Sequence, residues 1–418
     1  MNSKRVTIEK VNTKQILNKP AEKIDTWFWV KRGLNLYRGC EHNCRYCDGK
    51  AEYYRINNFG THIQVKINAP SVLEKELRKE DYLPIKRKAG QTLWEYMEAP
   101  ISEQKSSQIK PKFLIGLGGG VCDVYQPAEE ELRISRKLLQ VIRDFDFPVW
   151  ILTKNKLVLR DLDILEEINQ QSYAQVNFSI TLADPELQKL FEPGSSTTQE
   201  RFDALRIIRS REIHGGVCAM PLLPGLGDTE ENIRVLAIKA KEVSAEFFMP
   251  AGLTLKPVRQ KKEFMNVIKT HFPNLVPLYE SIYKSNSPYG HPDISKTRNV
   301  AQIGHKICYE LGLPDRIPRF IPDGYITSNL EIGEKLFEIA YLIRWVYLRS
   351  YKKSKSFSEA GYILENLDKD IKDLYQIGRL SDIKGISRSV QNVIKEIIES
   401  GTSQYLENLR RGHLNENC

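Results

Sequence analysis

Cys40, Cys44 and Cys47 share one short run, Tyr37-Arg38-Gly39-Cys40-Glu41-His42-Asn43-Cys44-Arg45-Tyr46-Cys47, in a Cys-x3-Cys-x2-Cys spacing with an aromatic residue before the last cysteine. Three thiolates on one loop can hold three corners of a cubic [4Fe–4S] cluster and leave its fourth iron open to a substrate or cofactor. The competing reading is structural zinc, which takes four protein ligands, commonly two Cys-x-x-Cys pairs. The other cysteines, Cys122, Cys218, Cys308 and Cys418, are isolated and form no second pair, which leaves His42 as the alternative fourth ligand. Seven cysteines in 418 residues do not make a disulfide framework.

A reactive loop needs a scaffold, and the chain alternates strand-like and helix-like segments after it. Residues 62–67 alternate apolar and polar as a strand does, and 70–80 read as a helix. Strands are expected at 113–118, 148–153, 175–180, 216–220 and 246–249, with helices at 127–143, 157–169, 184–191, 198–211 and 229–243. Repeated strand–helix units imply a parallel sheet with helices outside, closing into a full or partial barrel whose functional loops follow the strands. The cysteine loop then follows a first strand near 33–38. Polar, basic residues 81–111, with Lys86-Arg87-Lys88 and Gln104-Lys105-Ser106-Ser107, read as an insertion, a solvated loop rather than a nucleic-acid contact.

Composition narrows the setting. Apolar residues make up 41%, enough for a large core, and no apolar run is long enough to span a membrane. The N-terminus, Met1-Asn2-Ser3-Lys4-Arg5-Val6, has no apolar signal region, and a reducing cytoplasm fits both this and a cluster. The net charge of +9 is compatible with a polyanionic partner without demanding one.

Several segments resemble the spore photoproduct lyase-like branch of the radical S-adenosylmethionine (SAM) enzymes. They are Asn35-Leu36-Tyr37-Arg38-Gly39-Cys40, Asp123-Val124-Tyr125-Gln126-Pro127-Ala128-Glu129, Leu152-Thr153-Lys154, Leu159-Arg160-Asp161-Leu162-Asp163, Phe191-Glu192-Pro193-Gly194 and Pro221-Leu222-Leu223-Pro224-Gly225-Leu226. The resemblance covers roughly residues 31–255. It implies that Cys40, Cys44 and Cys47 ligate a [4Fe–4S] cluster, that SAM fills the open iron, and that an electron donor such as flavodoxin or ferredoxin reduces the pair. It also implies that Lys154 and Ser179 contact SAM, that Tyr46 lies against the adenine, and that Cys122 returns a hydrogen atom to a product radical. A buried thiol is the plainer reading of Cys122. Gly118-Gly119-Gly120 allows close backbone approach to the ligand; Gly118 and Gly119 are the positions expected to line it. Asp123 reads as a helix N-cap, and Arg160 with Asp161 as either a structural ion pair or a catalytic pair. Asp48 stands where relatives often carry tyrosine.

From about residue 329 the pattern becomes continuously helical, and 329–412 resembles the small N-terminal domain of family X DNA polymerases. The core of that resemblance is a helix-hairpin-helix at Ile383-Lys384-Gly385-Ile386-Ser387, followed by a helix from Arg388 to Ser400. A hairpin glycine lets the backbone approach closely, and N–H groups at the next helix's start face a phosphate. Lys384, Gly385, Ser387 and Arg388 are therefore the expected nucleic-acid contacts. Relatives have proline at the place of Lys384 and a second glycine at that of Ser387. Val393 stands where some carry a catalytic lysine, so binding without lyase chemistry is expected. Basic and acidic residues nearly balance over 329–418, which points to local patches such as Lys352-Lys353-Lys355. Phe337, Tyr341 and Trp345 recur at helical spacing and read as core rather than as base-stacking groups.

The expected architecture is an α/β chain: an N-terminal extension at 1–30, a partial parallel TIM-like barrel at 31–255, a covering extension at 256–328 with no assigned role, and a small all-α domain at 329–412. The expected activity is radical SAM chemistry on DNA, damaged, nicked or single-stranded, as lesion repair or base modification. The alternatives are a radical SAM enzyme on RNA or protein, and a redox-sensing Fe–S DNA-binding protein.

Overall fold

Val149-Trp150-Ile151-Leu152-Thr153 is apolar on both faces, as a strand covered on both sides must be. In the computed structural model, which describes residues 6–85, 110–120, 122–284 and 287–413, it is the third strand of a six-stranded parallel sheet. In sheet order the strands are β2 (Arg32–Leu34), β5 (Ile115–Leu117), β6 (Val149–Thr153), β7 (Ala174–Ser179), β8 (Val217–Leu222) and β9 (Phe248–Gly252). Every neighbouring pair is parallel, with Ile115 opposite Val149, Val149 opposite Ala174, and Val217 opposite Phe248. The helices α2 (Ile134–Asp144), α3 (Leu162–Gln171), α4 (Thr198–Ser210) and α5 (Glu230–Glu242) connect successive strands. This is the expected (β/α) half-barrel.

The period of two divides the strands between two cores. Val149, Ile151, Val176 and Phe178 pack outward against Leu138, Ile164, Leu205 and Ile233 of the helices. Trp150, Leu152, Cys218, Met220 and Met249 face inward, where they meet Trp27, Phe28, Trp29 and Val30 of the N-terminal segment, Ile317, and Phe337 of the helical tail. Gly116 makes that filling possible: a Cβ there would stand 2.7 Å from Val30 Cγ1.

The remaining strands differ from expectation. β1 (Thr7–Val11), β3 (Tyr37–Arg38) and β4 (His62–Lys66) form a separate three-stranded sheet in the order β1-β4-β3. The expected first strand at 33–38 is thus two strands in two sheets, and the alternating strand at 62–66 lies outside the barrel, where a half-polar face suits it. The expected helix at 127–143 is broken at Arg133, whose φ of +51° separates a short turn at Glu129–Leu132 from α2. Most of the expected insertion, including 86–88 and 104–107, lies outside the described residues.

The tail has its own core. Helices α8 (Thr327–Tyr341), α9 (Tyr351–Glu365), α10 (Arg388–Ser400) and α11 (Gln404–Arg410) bury Leu336, Ile339, Leu364, Ile394 and Leu406 together. Phe337 and Tyr341 are buried as expected, but Trp345 is 42% exposed, because a π-helical turn at Leu342–Val346 rotates it off the core stripe. Among the described residues no helix is long and apolar enough to cross a membrane.

Candidate active site

The cysteine run leaves β3 as a tight loop. Gly39 (φ +90°) starts it, and a Cβ there would stand 2.7 Å from the His62 carbonyl oxygen. Cys40 N–H donates to Phe59 O at 3.0 Å, and Cys47 N–H to Cys44 O at 3.2 Å. Cys40 and Cys44 are buried and Cys47 partly so. Burial pushes all three thiols up, Cys44 to about 12. Ligation by iron would have to displace their protons.

The loop is held from behind by two buried carboxylates. Asp123 accepts from Tyr125 N–H (2.8 Å), Thr153 Oγ1 (2.8 Å) and Lys154 N–H (2.7 Å). Its Oδ2 stands 3.2 Å from His42 Nε2, inside the cysteine loop. Burial alone would raise its pKa; the nearby imidazole and the backbone N–H donors outweigh this and hold it below the usual carboxylate range. Asp123 is therefore not the helix N-cap expected; it joins the cysteine loop to the end of β6. His42 Nδ1 is 2.7 Å from Gly194 O, so both ring nitrogens face protein groups, which argues against His42 as a zinc ligand.

Glu192 is the second carboxylate. It accepts from Arg201, from the Tyr46 hydroxyl and from Thr181 Oγ1 (3.1 Å). Desolvation opposes its charge, but Arg201 and Lys154 hold its pKa down at about 2. Arg201 is wholly buried and also donates to Ser196 O (2.8 Å) and Ser179 O (2.7 Å). Gly194 closes against the loop, where a Cβ would overlap Glu41 O. The motif Phe191-Glu192-Pro193-Gly194 thus clamps the cysteine loop, a role its sequence alone did not disclose.

A cavity of about 670 Å³ opens beside the loop. Tyr46, Cys47, Asp48, Gly118, Gly119, Gly120, Lys154 and Ser179 all line it. Lys154 Nζ donates to Ser179 Oγ at 2.6 Å and stands 5.7 Å from the Tyr46 ring centre. The Ser179 hydroxyl donates in turn to Met220 O at 2.9 Å. All three glycines have positive φ; a Cβ on Gly118 would overlap Leu152 O, whereas Gly119 and Gly120 face open space. Asp48 Oδ1 is buried without a hydrogen-bond partner. The other Asp48 oxygen accepts from Tyr54 and Lys256. The expected SAM-contacting residues are thus brought together on one wall, with the thiol of Cys47 and an unpartnered buried acceptor. This donor set fits a cofactor carrying a carboxylate, an ammonium group and a flat ring. Asn35, Phe28, Trp150 and Thr254 line the cavity as well; of these only Asn35 fell in a recognised motif.

Cys122 is not among the lining residues. It is buried, its Sγ 3.7 Å from Asn35 Oδ1, and burial pushes its thiol up to about 12. Arg160 and Asp161 form the expected ion pair at 2.8 Å, within a network that includes Glu129 and Arg136.

In the tail, Gly385 has φ +87°, and a Cβ there would stand 2.9 Å from Ile363 Cδ1. Ser387 is the N-cap of α10, but its side chain caps no helix N–H; it lies 3.1 Å from Ser389 Oγ instead. Lys384, Gly385, Ser387 and Arg388 are all exposed, and Val393 is buried.

Among the described residues no three His, Cys, Asp or Glu side chains converge on a single metal ion. A cubic cluster needs no such convergence, since each thiolate binds a different iron. Comparison with known proteins agrees with the cluster reading: residues 34–237 match the Radical SAM superfamily. An uncharacterized protein of Mycobacterium bovis is 29% identical over 289 residues, 68% of this chain and 75% of that protein. One from Methanocaldococcus jannaschii is 27% identical over 267 residues, 63% and 84% of the two chains. Among solved structures, a cysteine-to-serine mutant of spore photoproduct lyase aligns with TM-score 0.48 at 16% identity, covering 73% of this chain and 79% of that one. The cobalamin-dependent SAM radical enzyme OxsB aligns with TM-score 0.36 at 10% identity, covering 92% and 56%. Residues 34–237, which match the Radical SAM superfamily, hold the cysteine loop and most of the cavity wall, and the chain is an enzyme of the kind that works with a [4Fe–4S] cluster and S-adenosylmethionine.

Proposed function

We propose that this is a radical SAM enzyme acting on DNA, in lesion repair or base modification, with Cys40, Cys44 and Cys47 holding the cluster. When bound, the cluster and SAM together supply a 5′-deoxyadenosyl radical, the hydrogen-abstracting agent of this chemistry. The chain's own residues do the rest. Lys154 offers an ammonium to the methionine carboxylate, and Ser179, already accepting from Lys154, holds that ammonium at the cavity wall. Tyr46, fixed through Glu192, presents its ring to the adenine. Gly119 and Gly120 let the backbone approach with nothing in the way of the ligand. The raised pKa of Cys122 keeps the proton on Sγ at neutral pH, the state a hydrogen-atom donor requires. Asn35, which accepts from that sulfur, lines the cavity whereas Cys122 does not, so donation needs a local rearrangement.

The observation that carries the DNA reading is the hairpin at Gly385. Gly385 is exposed and has no side chain to cover its backbone, and the uncapped start of α10 leaves N–H groups for a phosphate. Such contacts hold nucleic acid without reading its sequence. A base would leave the stack to reach the cavity, or the strand would be single.

The test is to reconstitute and reduce the cluster without oxygen, add SAM, and measure 5′-deoxyadenosine with and without ultraviolet-irradiated DNA. Stimulation by damaged DNA, with label moving between SAM and DNA, is the expected result. Cleavage indifferent to any DNA would overturn the substrate and keep the enzyme. No cleavage from a fully loaded cluster would favour a sensor.

A further inference from the structure

The turn between α8 and α9 departs from the rest of the tail. Residues 339–358 contain no acidic side chain but include Arg344, Arg349, Lys352, Lys353 and Lys355. Among the described residues none of these five makes a salt bridge, whereas nearby Arg319 pairs with Glu365 and Arg410 with Glu338. Three large apolar side chains stand among them in solvent: Trp345, Leu348 (47% exposed) and Tyr351 (62%). The backbone is arranged to put them there. The π-helical turn at Leu342–Val346 buries Ile343 and Val346 while turning Trp345 outward, and Leu348 holds a left-handed φ of +49°, a conformation that favours glycine or asparagine. The Arg344 guanidinium carbon lies 5.6 Å from the Trp345 ring centre and 5.1 Å from that of Tyr351, so one cation bridges two exposed rings.

We infer that Trp345, Tyr351 and Arg344, flanked by Arg349, Lys352 and Lys355, form a stacking platform for single-stranded nucleic acid. Aromatic faces interleaved with unpaired cations bind bases and phosphates of a single strand without sequence preference. A protein-binding surface would instead concentrate its aromatics where lysine is depleted. The inference rests on the nucleic-acid reading above and adds a second surface to it. The position is informative. Trp345 packs against Trp27 at 6.1 Å between ring centres, and the next residue, Phe28, lines the reaction cavity. At the far end of α9, Ile363 lies beside the hairpin glycine, 2.9 Å from where a Cβ on Gly385 would stand. Tyr351 and Ile363 are separated by roughly 18 Å at the helical rise of 1.5 Å per residue. A stacked strand covers that with about five nucleotides. The hairpin would grip the backbone at one end of α9 and the platform the bases at the other, beside the cavity wall.

The test is fluorescence anisotropy of a short fluorescein-labelled oligodeoxythymidylate on the full-length, cluster-loaded protein across a salt series. Trp345→Ala/Tyr351→Ala is expected to weaken binding about tenfold or more. Because Trp345 also touches Trp27, a second variant avoids the aromatic packing: Arg349→Ser/Lys352→Ser/Lys355→Ser is expected to reduce the slope of log K against log salt by about 2. Wild-type affinity and slope in both variants, with binding lost in Lys384→Glu/Arg388→Glu, would overturn the platform alone. Failure of the unaltered protein to bind any oligonucleotide would overturn the platform together with the nucleic-acid reading. Capture by phosphatidylserine vesicles without oligonucleotide binding would assign the patch to a membrane surface and overturn the platform likewise.

Discussion

The barrel and the helical tail handle charge in opposite ways. The barrel region buries Asp123, Glu129, Asp161, Glu192 and Arg201, each tied into a hydrogen-bonded network around the cysteine loop or behind it. Between 327 and 413, among the described residues, no charged side chain is buried; the buried polar groups there are Ser328, Asn329, Ser354 and Ser403. The tail keeps an apolar core and leaves its cations at the surface. Buried ion pairs seldom add net stability over well-packed apolar residues. Their concentration behind the cavity is better explained by positioning: Arg201 and Glu192 fix Tyr46, and Asp123 fixes Lys154 and faces His42. Unpaired surface cations, by contrast, are available to a partner.

The widest separation of the two regions is functional. Cys44→Ala is expected to abolish SAM cleavage while leaving oligonucleotide affinity within about twofold, since the hairpin and platform lie on other elements. An equal loss of binding would show that the cluster loop shapes the nucleic-acid surface, and the contrast would collapse.

Next comes stability. Arg201→Met leaves Glu192 buried without its cation, and should cost about 3–5 kcal/mol in denaturant unfolding. Adding Glu192→Leu should recover most of it. The pH dependence has a definite sign. Glu192 has a depressed folded-state pKa, so its contribution is present above the unfolded value of 4.5 and is lost as pH falls toward about 2. That shift corresponds to about 3 kcal/mol. In the tail, Leu364→Ala removes a fully buried side chain and should cost about 2–5 kcal/mol by opening a cavity, with no acid-range component. If both variants lose stability with the same pH profile, the distinction between charged and apolar cores is void.

The half-barrel was legible because its strands are short apolar runs separated by helical periods, and the cysteine spacing is self-announcing. What stayed hidden were contacts between distant segments. Glu192 lies in the Phe191-Glu192-Pro193-Gly194 motif, yet nothing near it in sequence marks Arg201 as its cation. Asp123 looks like a helix start, and only the parallel pairing of β5 with β6 brings it to Lys154. The strand at 62–66 has a sound period, but period does not say which sheet a strand joins. Trp345 shows the same limit: its spacing fits the core stripe, and one π-helical turn moves it into solvent.

The smallest expected effect lies where the two regions meet. His305, on α7 (Val300–Leu311), directs Nδ1 to Asp315 Oδ2 at 2.8 Å and Nε2 to Arg410 O, at the end of α11, at 3.0 Å. Both partners are acceptors, so only the imidazolium satisfies both. Glu338, which pairs with Arg410, also faces it, the Tyr347 ring lies edge-on at 6.2 Å, and Cys308 and Glu334 share the adjoining cavity. Burial opposes the charge, but Asp315, the Arg410 carbonyl and Glu338 prevail and raise the pKa above 6.5. A raised folded-state pKa means the contribution is complete below the unfolded value and fades as pH climbs through the folded one. Urea midpoints at pH 6 and pH 8.5 should therefore fall more in the wild type than in His305→Gln. Parallel curves would mean that His305 is neutral where it sits, and that the joint between barrel and tail is held by the Arg410–Glu338 pair and apolar packing instead.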